Sequence, residues 1–209
     1  MPEKWRNRFR LSKEAAKNQF VTGWYGRGYL PHFDSDGLTQ FVTFRLADSL
    51  PQKVYYKWQT ELAGIQDDEE RLLEIAKKIE RWLDRGYGEC WLRDEKIAEL
   101  VQNALWHFDT QRYVLHAWCI MPNHVHALLS LLEGWTLDKI THSWKSYTAH
   151  QSNKLLNRKG DFWQEESYDR FIRNHGHYLD VERYIEENPV KAGLCQSPEE
   201  WKWSSAHYK

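Results

Sequence analysis

His-Val-His at positions 124–126 is the sharpest chemical signal in the sequence. Successive side chains of a strand alternate between its faces, so His124 and His126 share one face, roughly 7 Å apart at about 3.3 Å per residue. Two imidazoles on one face make a ready pair of metal ligands. The same spacing also suits two half-exposed histidines that bind nothing, and spacing alone leaves both readings open. A third ligand must come from elsewhere, and no nearby carboxylate stands out. Asn188 offers an amide oxygen, and Tyr184, four residues before it, shares its helix face. A tyrosine hydroxyl can act as a covalent nucleophile. Tyr168 is an equally good nucleophile by spacing, and Tyr184 suits a plain place at a core boundary. His116 reads as a packed or hydrogen-bonded histidine.

Several elements must position these groups. Residues 38–46 (LTQFVTFRL) alternate and are rich in β-formers, which predicts a first strand, with Pro51 closing the turn after it. Residues 52–108 read as helical. Leu72, Leu73, Ala76, Ile79, Trp82 and Leu83 recur at helical spacing, Gly86 is a stop, and Asp94 caps a further helix with its apolar face on Ile97, Leu100, Val101, Ala104, Leu105 and Phe108. This stretch carries no chemical motif and reads as packing or spacing. Strands at 112–120 and 124–132 flank the turn Met121-Pro122-Asn123, so they form a hairpin, with Val125, Ala127, Leu129 and Leu131 as its core face. Thr136 caps a helix to about Leu156, 167–173 reads as a fourth strand, and 177–187 as a last helix that Pro189 terminates. Residues 4–18 read as an arm and 22–37 as a loop. The order predicts an α+β fold: a ferredoxin-like antiparallel sheet with helices on one face and a helical insertion at 52–108 in the first crossover, all in one domain spanning 1–209.

Composition narrows the function classes. The 209 residues are 41% hydrophobic and 28% charged, as in ordinary globular domains. No apolar run reaches the length of a membrane span or a signal peptide. The three cysteines lie far apart without a CxxC spacing, against a disulfide framework or a cysteine zinc site and in favour of a reducing, cytoplasmic setting. Net charge is −1, which counts against nucleic acid, but its distribution softens that: residues 1–58 hold ten basic and five acidic residues, and 61–110 hold seven and thirteen. The 12 tryptophans suit either a Trp-rich interior or stacking on unpaired bases.

PNHVHALL (122–129), FWQEESYDRFIRN (162–174) and RYIEENPVKAGL (183–194), with RGYLPHFD (27–34), FVTFRLADSLP (41–51) and SWKSYTAHQSN (143–153), together resemble the REP-associated tyrosine transposases. These are domesticated relatives of the small single-tyrosine insertion-sequence transposases, within the HUH nucleases, in which two histidines flank a hydrophobic residue, here Val125. The resemblance covers nearly the whole chain. It implies that His124 and His126 bind Mg²⁺ or Mn²⁺, that Asn188 is a third metal contact, and that Tyr184 is the nucleophile. It implies single-stranded or hairpin DNA from repetitive extragenic palindromes as substrate, and a monomer or homodimer. Arg6, Arg8, Arg10, Arg27, Lys145 and Arg173 are candidate DNA contacts, although each is equally well an ordinary surface charge. The insertion at 52–108 is longer than in compact relatives.

A phenol with a pKa of about 10 needs help to attack a phosphodiester. A metal on the two histidines supplies it by binding the scissile phosphate. Three alternatives remain at this point: a relaxase or replication initiator, which would lack the NPVK and WQ segments in this order; a metal-dependent hydrolase using water; and a DNA-binding protein that has lost catalysis.

Overall fold

The computed structural model describes residues 24–26, 31–33 and 38–209. Trp24–Gly26 (β1) pairs antiparallel with Pro31–Phe33 (β2) within the segment expected to be a loop. The arm predicted at 4–18, with Arg6, Arg8 and Arg10, lies outside the described residues, as does Arg27.

Thr39–Arg45 (β3), Tyr113–Ile120 (β4), His124–Leu131 (β5) and Tyr168–Phe171 (β6) form one sheet in the order β4-β5-β3-β6, each neighbour antiparallel. This is the ferredoxin-like arrangement that the element order predicts. Between β3 and β4 the chain forms Gln52–Glu61 (α1), Asp68–Leu83 (α2), a short 3₁₀ turn at Trp91–Arg93 and Glu95–His107 (α3). Asp67 and Asp94 cap α2 and α3 by accepting from the amides of Glu70 and Lys96. Leu137–Leu155 (α4) follows β5, with the Thr136 hydroxyl accepting from the Lys139 amide.

The alternation of β5 sorts the core into two layers. Val125, Ala127, Leu129 and Leu131 join Val42, Phe44, Trp118 and Ile120 under α3 and α4, through Ile97, Val101, Leu105, Ile140 and Trp144. Leu128 lies on the other face with Phe41, Ala117, Cys119 and Met121, against Tyr178 and Ile185. Those last two belong to His175–Lys191 (α5). The crossover helices α3 and α4 thus share one face as expected, while α5 covers the opposite one. A strand with apolar residues on both faces has to be covered twice.

Two local features depart from expectation. Pro189 lies inside α5 rather than ending it, and the helix runs on to Lys191 before Gly193 takes a φ of +69°. Proline deletes one helical hydrogen bond, but it is buried here and the ladder resumes with Ala192 N–H donating to Asn188 C=O. Asn188 is therefore helical, one turn after Tyr184. In β4 the register against β5 shifts between Leu115 and Ala117, a β-bulge that turns His116 toward Ser130, with Nε2 and Oγ 2.7 Å apart, and toward the Tyr178 ring. His116 is thus packed and hydrogen-bonded, as the sequence suggests.

Burial holds the His116 pKa down to about 4, below the unfolded value of about 6.5. Between these values the unfolded chain binds a proton that the folded chain refuses, so stability falls as pH drops from about 6.5 to about 4 and levels off below that. His116→Gln should flatten this part of a pH series of urea unfolding. The expected difference is on the order of 3 kcal/mol in its pH dependence at most; unchanged acid sensitivity would rule His116 out as a cause.

Candidate active site

The central pair of strands sets the site. Across β3–β5, Thr43 stands opposite His126 and Arg45 opposite His124. Phe41, Thr43 and both histidines face α5, and the His126 imidazole stacks on Phe41 with centroids 5.5 Å apart. Both histidines are 1% exposed. The Nε2 atoms converge to 3.0 Å, while each Nδ1 is occupied: His126 by the Thr43 hydroxyl at 2.7 Å and His124 by Asn123 Oδ1 at 2.7 Å.

The second contact fixes a proton. Asn123 Nδ2 donates to the carbonyls of Leu83 (3.1 Å) and Tyr87 (2.9 Å), so its Oδ1 is the atom that faces His124. An amide oxygen can only accept, hence His124 carries its proton on Nδ1 and leaves an Nε2 lone pair facing His126. Burial and the neighbouring His126 hold the His124 pKa well below its usual value, and burial brings His126 to about 3. Both rings are neutral at pH 7, the form that ligates metals.

Helix α5 delivers the other partners. The Tyr184 ring lies 5.4 Å from His126 and 5.9 Å from Phe41, edge-on to both. Asn188 is buried, with Nδ2 3.2 Å from His126 Nε2. The Tyr184 hydroxyl lies close to the Glu80 carboxylate and the Asn188 amide, and Asn188 Oδ1 is a buried polar atom without a hydrogen-bond partner among the described residues. Orphaned groups of this kind are uncommon in folded proteins and call for an explanation.

The residues fit a divalent cation. Two nitrogens held about 2.1 Å from one ion at right angles are about 3 Å apart, the separation found here. The Thr43 and Asn123 contacts resemble the outer partners that commonly orient ligating imidazoles, and Asn188 Oδ1 is an unused hard acceptor beside them. Among the described residues no group of three or more His, Cys, Asp or Glu that could hold a metal ion gathers anywhere.

Several contributors are invisible to sequence reasoning. Asn123 reads there only as a turn residue, and Thr43 acquires meaning only from the β3–β5 register. The acidic helix α2, read as packing or spacing, acts on the site: burial is the main cause of the raised Tyr184 pKa, and the charges of Glu80 and then Asp84 add to it. Burial raises both of those carboxylates as well. Lys191 Nζ stands 5.4 Å from the Tyr184 ring centroid. Tyr168, opposite Thr43 on β6, reaches Phe41 at 6.4 Å rather than the histidines. A cavity of about 490 Å³ beside the site is lined by Thr43, Arg45, Glu80, Leu83 and Tyr168 among others.

The proposed DNA contacts separate. Lys145 is not a free surface cation: its Nζ donates to the Glu165 carbonyl at 2.5 Å, and burial lowers its pKa to about 8. It borders a second cavity of about 800 Å³ between α4 and residues 160–169. Arg173 lies beyond β6, its guanidinium 5.8 Å from the Phe171 ring centroid.

Residues 90–188 match the model of the family "Transposase IS200 like". A REP-associated tyrosine transposase of Escherichia coli is 30% identical over 95 residues, 46% of this chain and 55% of that protein. A relative from Haemophilus influenzae is 28% identical over 99 residues, 43% of this chain and 56% of that one. The chain thus spans about half the length of these relatives. A solved structure of a REP-associated tyrosine transposase bound to a REP hairpin superposes with a TM-score of 0.54 at 20% identity, covering 90% of this chain and 84% of that one, which shows the shared fold. No helix among the described residues is long and apolar enough to cross a membrane. Residues 90–188, the stretch similar to the IS200-like transposase family, hold both histidines, Tyr184 and Asn188.

Proposed function

We propose that the chain is a metal-dependent, single-tyrosine DNA endonuclease and strand transferase that acts on single-stranded or hairpin REP DNA. The observation that carries this reading is the convergence of His124 and His126 Nε2 atoms at 3.0 Å beside the Tyr184 ring and the Asn188 amide. His124, His126 and Asn188 would hold the ion, Mg²⁺ or Mn²⁺. When bound, it supplies charge withdrawal from the scissile phosphate and stabilises the transition state.

The chain's own residues do the rest. Phe41 and His126 seat the Tyr184 ring edge-on, which limits its rotation and aims its hydroxyl. That oxygen attacks phosphorus, a Tyr184 O–P bond forms and the bond to the 3′ oxygen breaks. The phenolic proton leaves to an acceptor, the 3′ oxygen takes a proton from solvent, and the products are a 5′-phosphotyrosine and a free 3′-OH. One phosphodiester is exchanged for another, so a 3′-OH can rejoin the strand without ATP. Thr43 and Asn123 hold the imidazoles in orientation throughout.

Incubation with labelled single-stranded REP DNA and Mn²⁺, read on a denaturing gel, should give a covalent adduct. Cleavage without an adduct would point to a hydrolase using water, and binding without cleavage to a catalytically inactive DNA-binding protein. Tyr184→Phe should bind DNA with wild-type affinity and form at least 1000-fold less adduct, on the order of what loss of a nucleophile costs. Tyr168→Phe should form adduct within about threefold of wild type; the opposite pattern would transfer the nucleophile to Tyr168. His126→Ala should abolish cleavage and leave hairpin binding within about threefold, and a collapse of binding in a folded variant would make the histidines part of the recognition surface.

A further inference from the structure

The helical insertion makes its best-defined contact with the site through one side chain. Asn123 ends the turn between β4 and β5, is 0% exposed, and spends every polar atom of its amide. Its two N–H bonds go to Leu83 and Tyr87, the end of α2 and the turn after it. Its oxygen goes to His124. Nothing in β4 or β5 demands that Asn123 point this way; the two carbonyls of the insertion do.

Those carbonyls are themselves held in place. The Leu83 side chain is 1% exposed. Trp82 Nε1 donates to the Ser49 carbonyl at 2.9 Å, and the Trp82 and Tyr87 rings lie 4.2 Å apart. Gly86 and Gly88 flank Tyr87 with φ of +69° and +93°, and a Cβ at Gly88 would stand 3.2 Å from the Asp48 carbonyl oxygen and from Ser49 Cα. The turn that presents the Tyr87 carbonyl is therefore one that glycine permits and other residues resist.

We propose that Asn123 is a positioning residue through which the α2 segment sets the tautomer and orientation of His124. With the segment docked, the amide must face its N–H groups to the carbonyls, its oxygen takes the His124 Nδ1 proton, and the Nε2 lone pair is aimed at the partner imidazole. With the segment displaced, the amide is free to turn, and His124 is released to carry its proton on Nε2. In that tautomer the atom needed for an ion is blocked. The insertion is then a control element of the metal centre rather than a spacer. The inference rests on the metal-binding reading above, but the tautomer itself is defined without any ion.

Nitrogen-15 NMR of the imidazoles in the ion-free protein reads that tautomer directly. Wild type should show His124 with its proton on Nδ1. Asn123→Ala should shift a measurable fraction to Nε2–H and weaken Mn²⁺ binding, measured by EPR, by about 10–100-fold, as loss of an outer partner of a ligating histidine commonly does. Asn123→Asp keeps an acceptor for His124 but cannot donate to Leu83 and Tyr87. It should keep the Nδ1–H tautomer and speed amide hydrogen exchange at 80–90 several-fold. An Asn123→Ala protein that is folded and keeps both the Nδ1–H tautomer and wild-type Mn²⁺ affinity overturns the role. Unchanged exchange at 80–90 in Asn123→Asp overturns the link to the insertion. Should wild type bind no Mn²⁺, the metal reading fails, and the tautomer and exchange measurements still judge Asn123.

Discussion

Burying two imidazoles side by side on a central strand is the constraint on which the rest of this molecule turns. A half-exposed histidine pair would need nothing around it. At 1% exposure each ring nitrogen has to be matched, because an unpaired polar group away from water costs on the order of 1–3 kcal/mol. The structure meets that need from three directions: Thr43 from the neighbouring strand, Asn123 from the turn, and Asn188 from the covering helix. Each of these sits on a different element of the fold, and Asn123 is further tied to the carbonyls of Leu83 and Tyr87. The β3–β5 register, the insertion and α5 are thus tied to one pair of nitrogens, and a shift by one residue in β5 would send both histidines into the opposite core layer.

Much of this could be read in the sequence, and the reasons are physical. The alternation in residues 124–131 places Val125, Ala127, Leu129 and Leu131 on one face, and they join one core layer. Caps at Asp94 and Thr136 mark their helix starts because a side-chain acceptor beside unpaired amides is a local signal. What was hidden is non-local. Thr43 is one of several polar residues in β3 until the register puts it opposite His126. Asn123 stands in a turn where asparagine is common for its own reasons. Pro189 carries a strong local rule against helix continuation, and tertiary burial of its ring overrides it. That override decides that Asn188 stays in the helix with Tyr184.

The placement of Tyr184 shows how a core position becomes a chemical one. Its ring packs against Phe41 and His126, as any boundary aromatic does. Its hydroxyl, however, lies under the influence of two carboxylates, Glu80 and Asp84, and beside the Asn188 amide. Packing fixes the ring while the polar end meets charged and polar groups, a combination that marks candidate functional positions.

The acidic helix beside the site then poses an electrostatic problem with a definite sign. Burial, Glu80 and Asp84 all raise the Tyr184 pKa, so each opposes formation of the phenolate, and the two carboxylates would repel a phosphate. Lys191, near the Tyr184 ring, lowers both carboxylates and offsets part of this. A single lysine that also pairs with Glu187 at 3.2 Å cannot neutralise two carboxylates. A divalent charge between the two neutral imidazoles would be the largest local charge and would invert the sign of the potential that a phosphate meets. The neutrality of the histidines matters for the same reason: protonated rings would repel the ion, and burial keeps them unprotonated at pH 7. On the proposed metal-binding reading, the acidic insertion and the buried histidine pair would be halves of one arrangement, unfavourable to a phosphate on their own and complementary to it once a cation joined them.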